Sequence, residues 1–378
     1  MIFNPDESTT APPGPTLCLA TALLAGAGAA HAEPAGGCAR LCDLAWMARA
    51  SVTEVETELD ATPGAATRAN EHGITPLHRA AMANPDPRVA ARLIAAGADL
   101  EARDAHGATP LHFAAGGVGE GNLLLITGLA AKYLHTPSLR RVQQERRTFE
   151  HTFHAGGNHP SVVEHLLDAG ADATQRDAQG DTPLHYAAFN TRHTQVVERL
   201  LAHGAEADAI NRHGLSPLHY TALGNDHPKI AEVLLNHGAN LERRTHHTES
   251  TPLHSAALGI APDTLALLLE RGADIAARDH REATPLHYAA KNPVPDLAQA
   301  LIEHGAPLEL TDDQGRTPLL AALDWANPTV ALLLVRNGAD PQAEDHEGRS
   351  AVEHLEANQE FLQYWSPRDH AELIRLVR

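Results

Sequence analysis

Thr182-Pro183-Leu184-His185-Tyr186-Ala187-Ala188, followed by Val196-Val197-Glu198-Arg199-Leu200-Leu201, then His203-Gly204-Ala205 and a polar loop ending at Gly214, is a unit from which most of this chain is copied. Its opening tetrad recurs at Thr75, Thr109, Thr182, Ser216, Thr251, Thr284 and Thr317, and a degraded copy begins at Ser350. Successive gaps are 34, 73, 34, 35, 33, 33 and 33 residues. A fixed period of this size implies stacked supersecondary units, none of which buries its own apolar face alone.

Each part of the unit has a physical task. The Thr is placed to cap a first helix, and the Pro fits its first helical position, where a missing N–H costs nothing. The following Leu and Ala-Ala pair are small and apolar, so neighbouring first helices approach closely. Turn signals such as Asn84-Pro85, Asn292-Pro293 and Asn327-Pro328 separate the two helices. Leucine pairs such as Leu166-Leu167, Leu200-Leu201 and Leu234-Leu235 mark the second helix, which Gly170, Gly204, Gly238, Gly272, Gly305 and Gly338 stop. A hairpin-like loop closes the unit, as in Asp104 to Gly107, Asp177 to Gly180 and Asp312 to Gly315.

TPLH, then AA, then LL, then GAD, then a D-x-x-G loop: over about residues 70–358 these residues resemble the ankyrin-repeat family. The resemblance implies an all-α solenoid of helix-turn-helix units with β-hairpin-like loops. Departures are local. Leu320 replaces the His of the last good tetrad, Glu282 replaces a loop Gly, and the loop at 245–250 carries one extra residue.

The expected organisation is a signal peptide at 1–32, an N-terminal capping unit at 33–69, repeats at 70–349 and a C-terminal capping unit at 350–378. Residues 17–30 form an apolar run too short to span a membrane, and Ala30-His31-Ala32 supplies a small-x-small cleavage pattern before Glu33. Asp6 and Glu7 and the lack of Lys or Arg are wrong for the start of a signal, which leaves a disordered tail as the competing reading. Cleavage would remove Cys18 and leave Cys38 and Cys42, four residues apart. They are either bridged, if Cys38 lies just before a helix, or two reduced buried thiols. In the N-terminal cap, Leu41, Leu44, Ala45 and Ala48 follow helical spacing, Ser51 or Thr53 can cap a second helix, and Thr53 with Glu56 fits a capping box. Phe361, Leu362, Trp365, Leu373, Leu376 and Val377 are expected to close the C-terminal interface.

The 73-residue gap is the one irregularity. Its excess falls between the two helices of the second full repeat, as a helical insertion at about 117–159 with expected helices at 123–134 and 139–153. Arg140, Arg141, Arg146 and Arg147 make it the strongest basic cluster of an acidic chain. They form either a solvated helix face or a docking site for an acidic partner.

A formal charge of −19, or −17 without the first 32 residues, repels nucleic acid and anionic membrane. No long apolar span follows Ala32, so no membrane span is expected in the mature chain. The 26 His suggest metal, yet six belong to the tetrads: His78, His112, His185, His219, His254 and His287. His72, His106, His213 and His346 recur one per loop, with His280 close to the matching site. Units ~8–10 Å apart cannot bring such a row onto one ion with ligand distances of ~2.1 Å. Metal and cofactor are therefore expected to be absent. No H-E-x-x-H, G-x-S-x-G or P-loop occurs, and the chain reads as non-catalytic.

The family resemblance implies binding of a protein partner by a concave face of loop tips and first helices. Carried over position by position, it selects Gln179, Asp181, Phe189, Asn190, Arg212, His213, Leu215, Leu223, Lys291, Asn292, Arg316, Asp324 and Trp325. Phe189 and Trp325 stand out because aromatic residues make up only 4% of the chain, and each is either an interface anchor or packing between repeats. The expectation is a monomeric periplasmic scaffold. A secreted effector contacting its target through the Arg-rich insertion is the second reading, and an enzyme using Glu145, Glu150, His151 and His154 is the third. The abundance of His also suggests a pH-responsive partner affinity.

Overall fold

The computed structural model describes residues 38–116, 158–357 and 367–377. Among them are 18 α-helices and no strand. After the 3-10 turn Ala39–Cys42 come α1 (Leu44–Met47) and α2 (Val52–Ala61), which form the N-terminal cap. Helix pairs follow as α3 (Pro76–Ala83) and α4 (Pro87–Ala95), α5 (Pro110–Gly116) and α6 (Pro160–Asp168), and α7 (Pro183–Asn190) and α8 (Thr194–Ala202). Then come α9 (Pro217–Gly224) and α10 (Pro228–Asn236), α11 (Pro252–Leu258) and α12 (Pro262–Glu270), and α13 (Pro285–Lys291) and α14 (Pro295–Glu303). The array ends with α15 (Pro318–Asp324), α16 (Pro328–Arg336), α17 (Ala351–Ala357) and α18 (Pro367–Val377).

First helices pack on first helices and second helices on second, giving two layers with one continuous core. The Ala pairs explain the close approach in the first layer: Ala80, Ala81, Ala114, Ala115, Ala187, Ala188, Ala256, Ala257, Ala289 and Ala290 are all buried. Every first helix from α3 to α15 starts at its Pro. The loop tips carry no strand, but each donates one backbone bond to the tip before it, as from Ala105 N to His72 O (2.8 Å) and Ala178 N to His106 O (2.7 Å). The hairpin-like loops are thus laced together through single bonds.

The two caps differ in detail from expectation. Of the two expected caps Ser51 starts α2, with a box made by Glu54, whose backbone and carboxylate bond it reciprocally, while Thr53 lies inside the helix and the expected box with Glu56 is not formed. Asp43 caps α1 separately, so the run from Leu41 to Ala48 is two short pieces instead of one helix. Leu44 is consequently 38% exposed while Met47 fills the core. Cys38 precedes the 3-10 turn, and its Cα lies 5.5 Å from that of Cys42, the spacing a bridge requires. At the other end Leu373 and Val377 are buried as expected, whereas Phe361, Leu362 and Trp365 lie outside the described residues. The expected insertion helices, with Arg140, Arg141, Arg146 and Arg147, also lie outside them.

The irregular loops show how the pattern tolerates substitution. Glu282 adopts φ +57°, the left-handed conformation of the Gly it replaces, and its carboxylate pairs with Arg278 at 2.9 Å. In the longer loop Glu249 takes φ +52°, and Ser250 N donates to Thr245 Oγ1.

Candidate protein-binding face

The tetrad His is the clearest example of a polar group consumed by the stacking. In α7, Thr182 N and Oγ1 lie 3.1 and 2.9 Å from His185 Nδ1, and His185 Nε2 lies 3.1 Å from the Leu215 carbonyl of the next unit. A backbone N–H only donates, so Nδ1 accepts and Nε2 carries the proton. The same arrangement joins His78 to Ala108, His112 to Asp181, His219 to Ser250, His254 to Ala283 and His287 to Arg316. Burial lowers the pKa of His78, His112, His185, His219 and His287 to about 4, against a smaller opposing effect of the accepting carbonyl. The relay ends at Arg316, because Leu320 is buried and apolar where the next His would stand.

Other polar positions are used in the same way. Asn84, Asn225, Asn292 and Asn327 each donate through Nδ2 to two carbonyls of the preceding unit. Arg103, Arg176, Arg244 and Arg278 each reach a carbonyl of the following unit. Tyr186 and Tyr288 donate to the corner carboxylates of their own loops, Asp177 (2.8 Å) and Asp279 (2.7 Å). Where Asn211 replaces that corner Asp, Tyr220 turns to Asp181 at 2.9 Å, and Asn211 Nδ2 also donates to Asp181 at 2.9 Å. Burial and the neighbouring Asp177 charge push the Asp181 pKa up to about 6.

The face selected from sequence therefore divides. Gln179, Arg212 and His213 are exposed at the tips, and Asn190, Leu215, Leu223, Lys291, Arg316, Asp324 and Trp325 are half-buried. Asp181, Phe189 and Asn292 are buried at 4%, 5% and 4% and are corrected from contact to packing positions. Asp181 is drawn inward by Tyr220, and Asn292 by the carbonyls it clamps. Phe189 lies edge-on to Tyr220, over Gly224, where a Cβ would collide with its ring. Asn190 donates to Gly116 O (2.6 Å) and accepts from Asn158 Nδ2 (3.3 Å), holding together the described residues on either side of 117–157.

At the C-terminal end the polar groups form a chain. Arg316 bonds Asp312 (2.7 Å) and Asp324 (2.8 Å), Asp324 lies 2.5 Å from His354 Nδ1, and His354 Nε2 lies 3.0 Å from Asp345, which Arg349 also holds at 2.8 Å. Burial opposes charge on His354, but the two flanking carboxylates outweigh it and its pKa is raised. Beside this chain, the Lys291 ammonium lies 5.8 Å from the centre of the Trp325 ring.

The loop-tip histidines His72, His106, His213 and His346 stand in separate units along the edge, and among the described residues no group of three His, Cys, Asp or Glu is placed to hold a metal ion. No helix among them is long and apolar enough to cross a membrane.

A family model described as ankyrin repeats in three copies matches residues 123–211, 151–245, 193–279 and 253–345, more than half of the chain, and a single-repeat model matches residues 72–105. The chain belongs to the ankyrin-repeat family. Its ankyrin array is similar to human NF-kappa-B inhibitor alpha, at 35% identity over 106 residues. That match covers 27% of this chain and 32% of the relative. Ankyrin repeats form a protein–protein interaction module, and the family is typically non-catalytic.

Proposed function

We propose that this protein is a non-catalytic scaffold that holds a partner protein against the face formed by its first helices and loop tips, after export to a periplasmic compartment. The carrying observation is where the repeat's polar groups go. His, Asn and Arg side chains are largely consumed by neighbouring units and Tyr186 and Tyr288 by loop carboxylates, as described above, while the front keeps half-buried Leu223, Leu258 and Trp325 beside exposed tips. A surface of that kind offers apolar anchors rimmed by polar groups, as partner-binding faces do. The similar human protein is named as an inhibitor of another protein, which supports a protein partner here. Support for export comes from the apolar run before Ala32 and from the approach of Cys38 to Cys42.

Fractionation of tagged protein, with sequencing of its N-terminus and cross-linking in each fraction, tests both parts. Processing at Glu33 and a cross-linked partner lost on Leu223→Ser plus Leu258→Ser are expected. Unprocessed protein in the cytoplasm would refute export, and a cross-link indifferent to those substitutions would refute the front face.

A further inference from the structure

The seventh residue after each capping Thr or Ser falls at one register position of successive first helices. It reads Phe189, Leu223, Leu258, Lys291 and Asp324 from α7 to α15. Phe189 is covered, so the accessible part runs Leu223, Leu258, Lys291 and Asp324, with Trp325 directly following. We propose that Leu223, Leu258 and Lys291, closed off by Trp325, form a docking site for an extended protein segment that carries spaced apolar side chains and, at one end of them, an Asp or Glu that reaches the Lys291 ammonium. The proposal rests on the front-face reading and specifies the chemistry of its partner.

Charge complementarity carries it. Lys291 is half-buried, and among the described residues its ammonium has no ion pair or hydrogen bond, only the Trp325 ring. The carboxylates near it are already engaged. Asp279 accepts from Tyr288 Oη (2.7 Å), Arg281 N (2.8 Å) and Ala283 N (2.9 Å). Asp312 accepts from Gln314 N (3.0 Å) and from the Arg316 backbone and guanidinium, and Asp324 is held between Arg316 and His354. Burial and the Arg316 charge lower the Lys291 pKa, so its charged form is poorly served in the free protein. An incoming carboxylate relieves that cost and is shielded by the indole from water, where a half-desolvated ion pair is stronger than an exposed one.

Spacing sets the register. Packed helices lie ~8–10 Å apart and a polyproline II chain rises ~3.1 Å per residue with about three residues per turn, so every third side chain of the bound segment returns to the same face about one unit further on. Two apolar side chains over Leu223 and Leu258 therefore stand about six and three residues from the acidic one.

The test is selection of short random peptides displayed on phage against the full chain, followed by binding titrations of the enriched peptides. Enriched peptides are expected to carry Asp or Glu at one end of spaced apolar residues. They should lose about tenfold or more in affinity on Lys291→Met, which keeps the stem on Trp325, and retain binding on Lys291→Arg. Circular-dichroism melts check that both variants are folded. Enriched peptides without an acidic residue, or binding Lys291→Met as well as the parent, overturn the acidic specificity and leave the front face standing. If no peptide depends on Leu223 or Leu258, the front-face reading falls and takes this proposal with it.

Discussion

Replacing His185 by Leu should remove one increment of the protein's sensitivity to acid. In the folded chain His185 Nδ1 faces the N–H of Thr182 at 3.1 Å, and Nε2 faces the Leu215 carbonyl at 3.1 Å. A second proton on Nδ1 would point at a donor. That conflict and complete burial hold the pKa down to about 4, against an ordinary value of 6.5. A lowered folded pKa contributes stability that is present above pH 6.5 and lost as pH falls toward 4. Between about pH 7.5 and about pH 5 this single site loses about 2 kcal/mol. The same position in α15 holds Leu320, with Thr317 Oγ1 still accepting from its backbone N–H at 3.4 Å, so the fold accommodates the substitution. At pH 7.5 His185→Leu is expected to cost about 1–3 kcal/mol, because the Leu215 carbonyl loses its donor. Near pH 5 most of that deficit should disappear. Urea denaturation followed by circular dichroism at the two pH values measures the difference. An equal deficit at both would refute the neutral, proton-excluding role of the tetrad His. The six sites are not expected to add, because a repeat array unfolds in parts.

Asp181→Asn is expected to stabilise the protein by about 2–3 kcal/mol at neutral pH and little in acid. A carboxyl whose folded pKa is raised to about 6 contributes stability below 3.8 and loses it as pH rises through 6; parallel melts of parent and variant against pH would show no divergence if the Asp181 charge were well compensated. His354 has the opposite sense to the tetrad His, since its raised folded pKa gives stability present below 6.5 and lost as pH climbs. Amide protection in Pro367–Val377 should fall in alkali, and His354→Gln should flatten that dependence; protection that ignores pH sinks this assignment. Arg176→Met removes a guanidinium that bonds Gly180 O (2.9 Å) and Ile210 O (2.6 Å) and should cost about 1–2 kcal/mol in urea denaturation; a loss indistinguishable from zero would make the Arg series mere surface charge. In exported protein Cys38 and Cys42 should resist alkylation until reduced, and two freely alkylated thiols would disprove the bridge.

The architecture was legible because it is periodic: a 33-residue repetition with Thr-Pro at each start and Gly at each second-helix stop leaves few folds to choose between. The site was less legible because a single unit states which residues recur and not which neighbour they face. His185 reads as a local turn holder, yet its second nitrogen crosses to the next unit, 30 residues away. Asn292 reads as a turn signal with an exposed side chain and is instead a clamp on Ala257 and Gly259. Asp181 is drawn inward for a reason visible only beside Asn211, which has lost the carboxylate that Tyr220 needs. Ser51 was one of two expected caps, but the box was placed two residues late because Thr53 with Glu56 satisfies the same pattern, whereas the extended backbone that a cap requires falls at Ser51.

Gly116 and Asn158, the described residues on either side of 117–157, are tied to the array by one small set of bonds: Asn158 N to Ala114 O (3.0 Å), Asn190 to Gly116 O, and Asn158 to Asn190 O. The positions of these two residues are thus fixed by the stack itself, whatever is spelled in between. Loop closure grows only slowly with length once the ends are held, so the repeat array gains a grafting port. A segment could be lengthened, exchanged or acquired there over evolutionary time, or by an engineer, while the helices on either side continue to stack on the same neighbours.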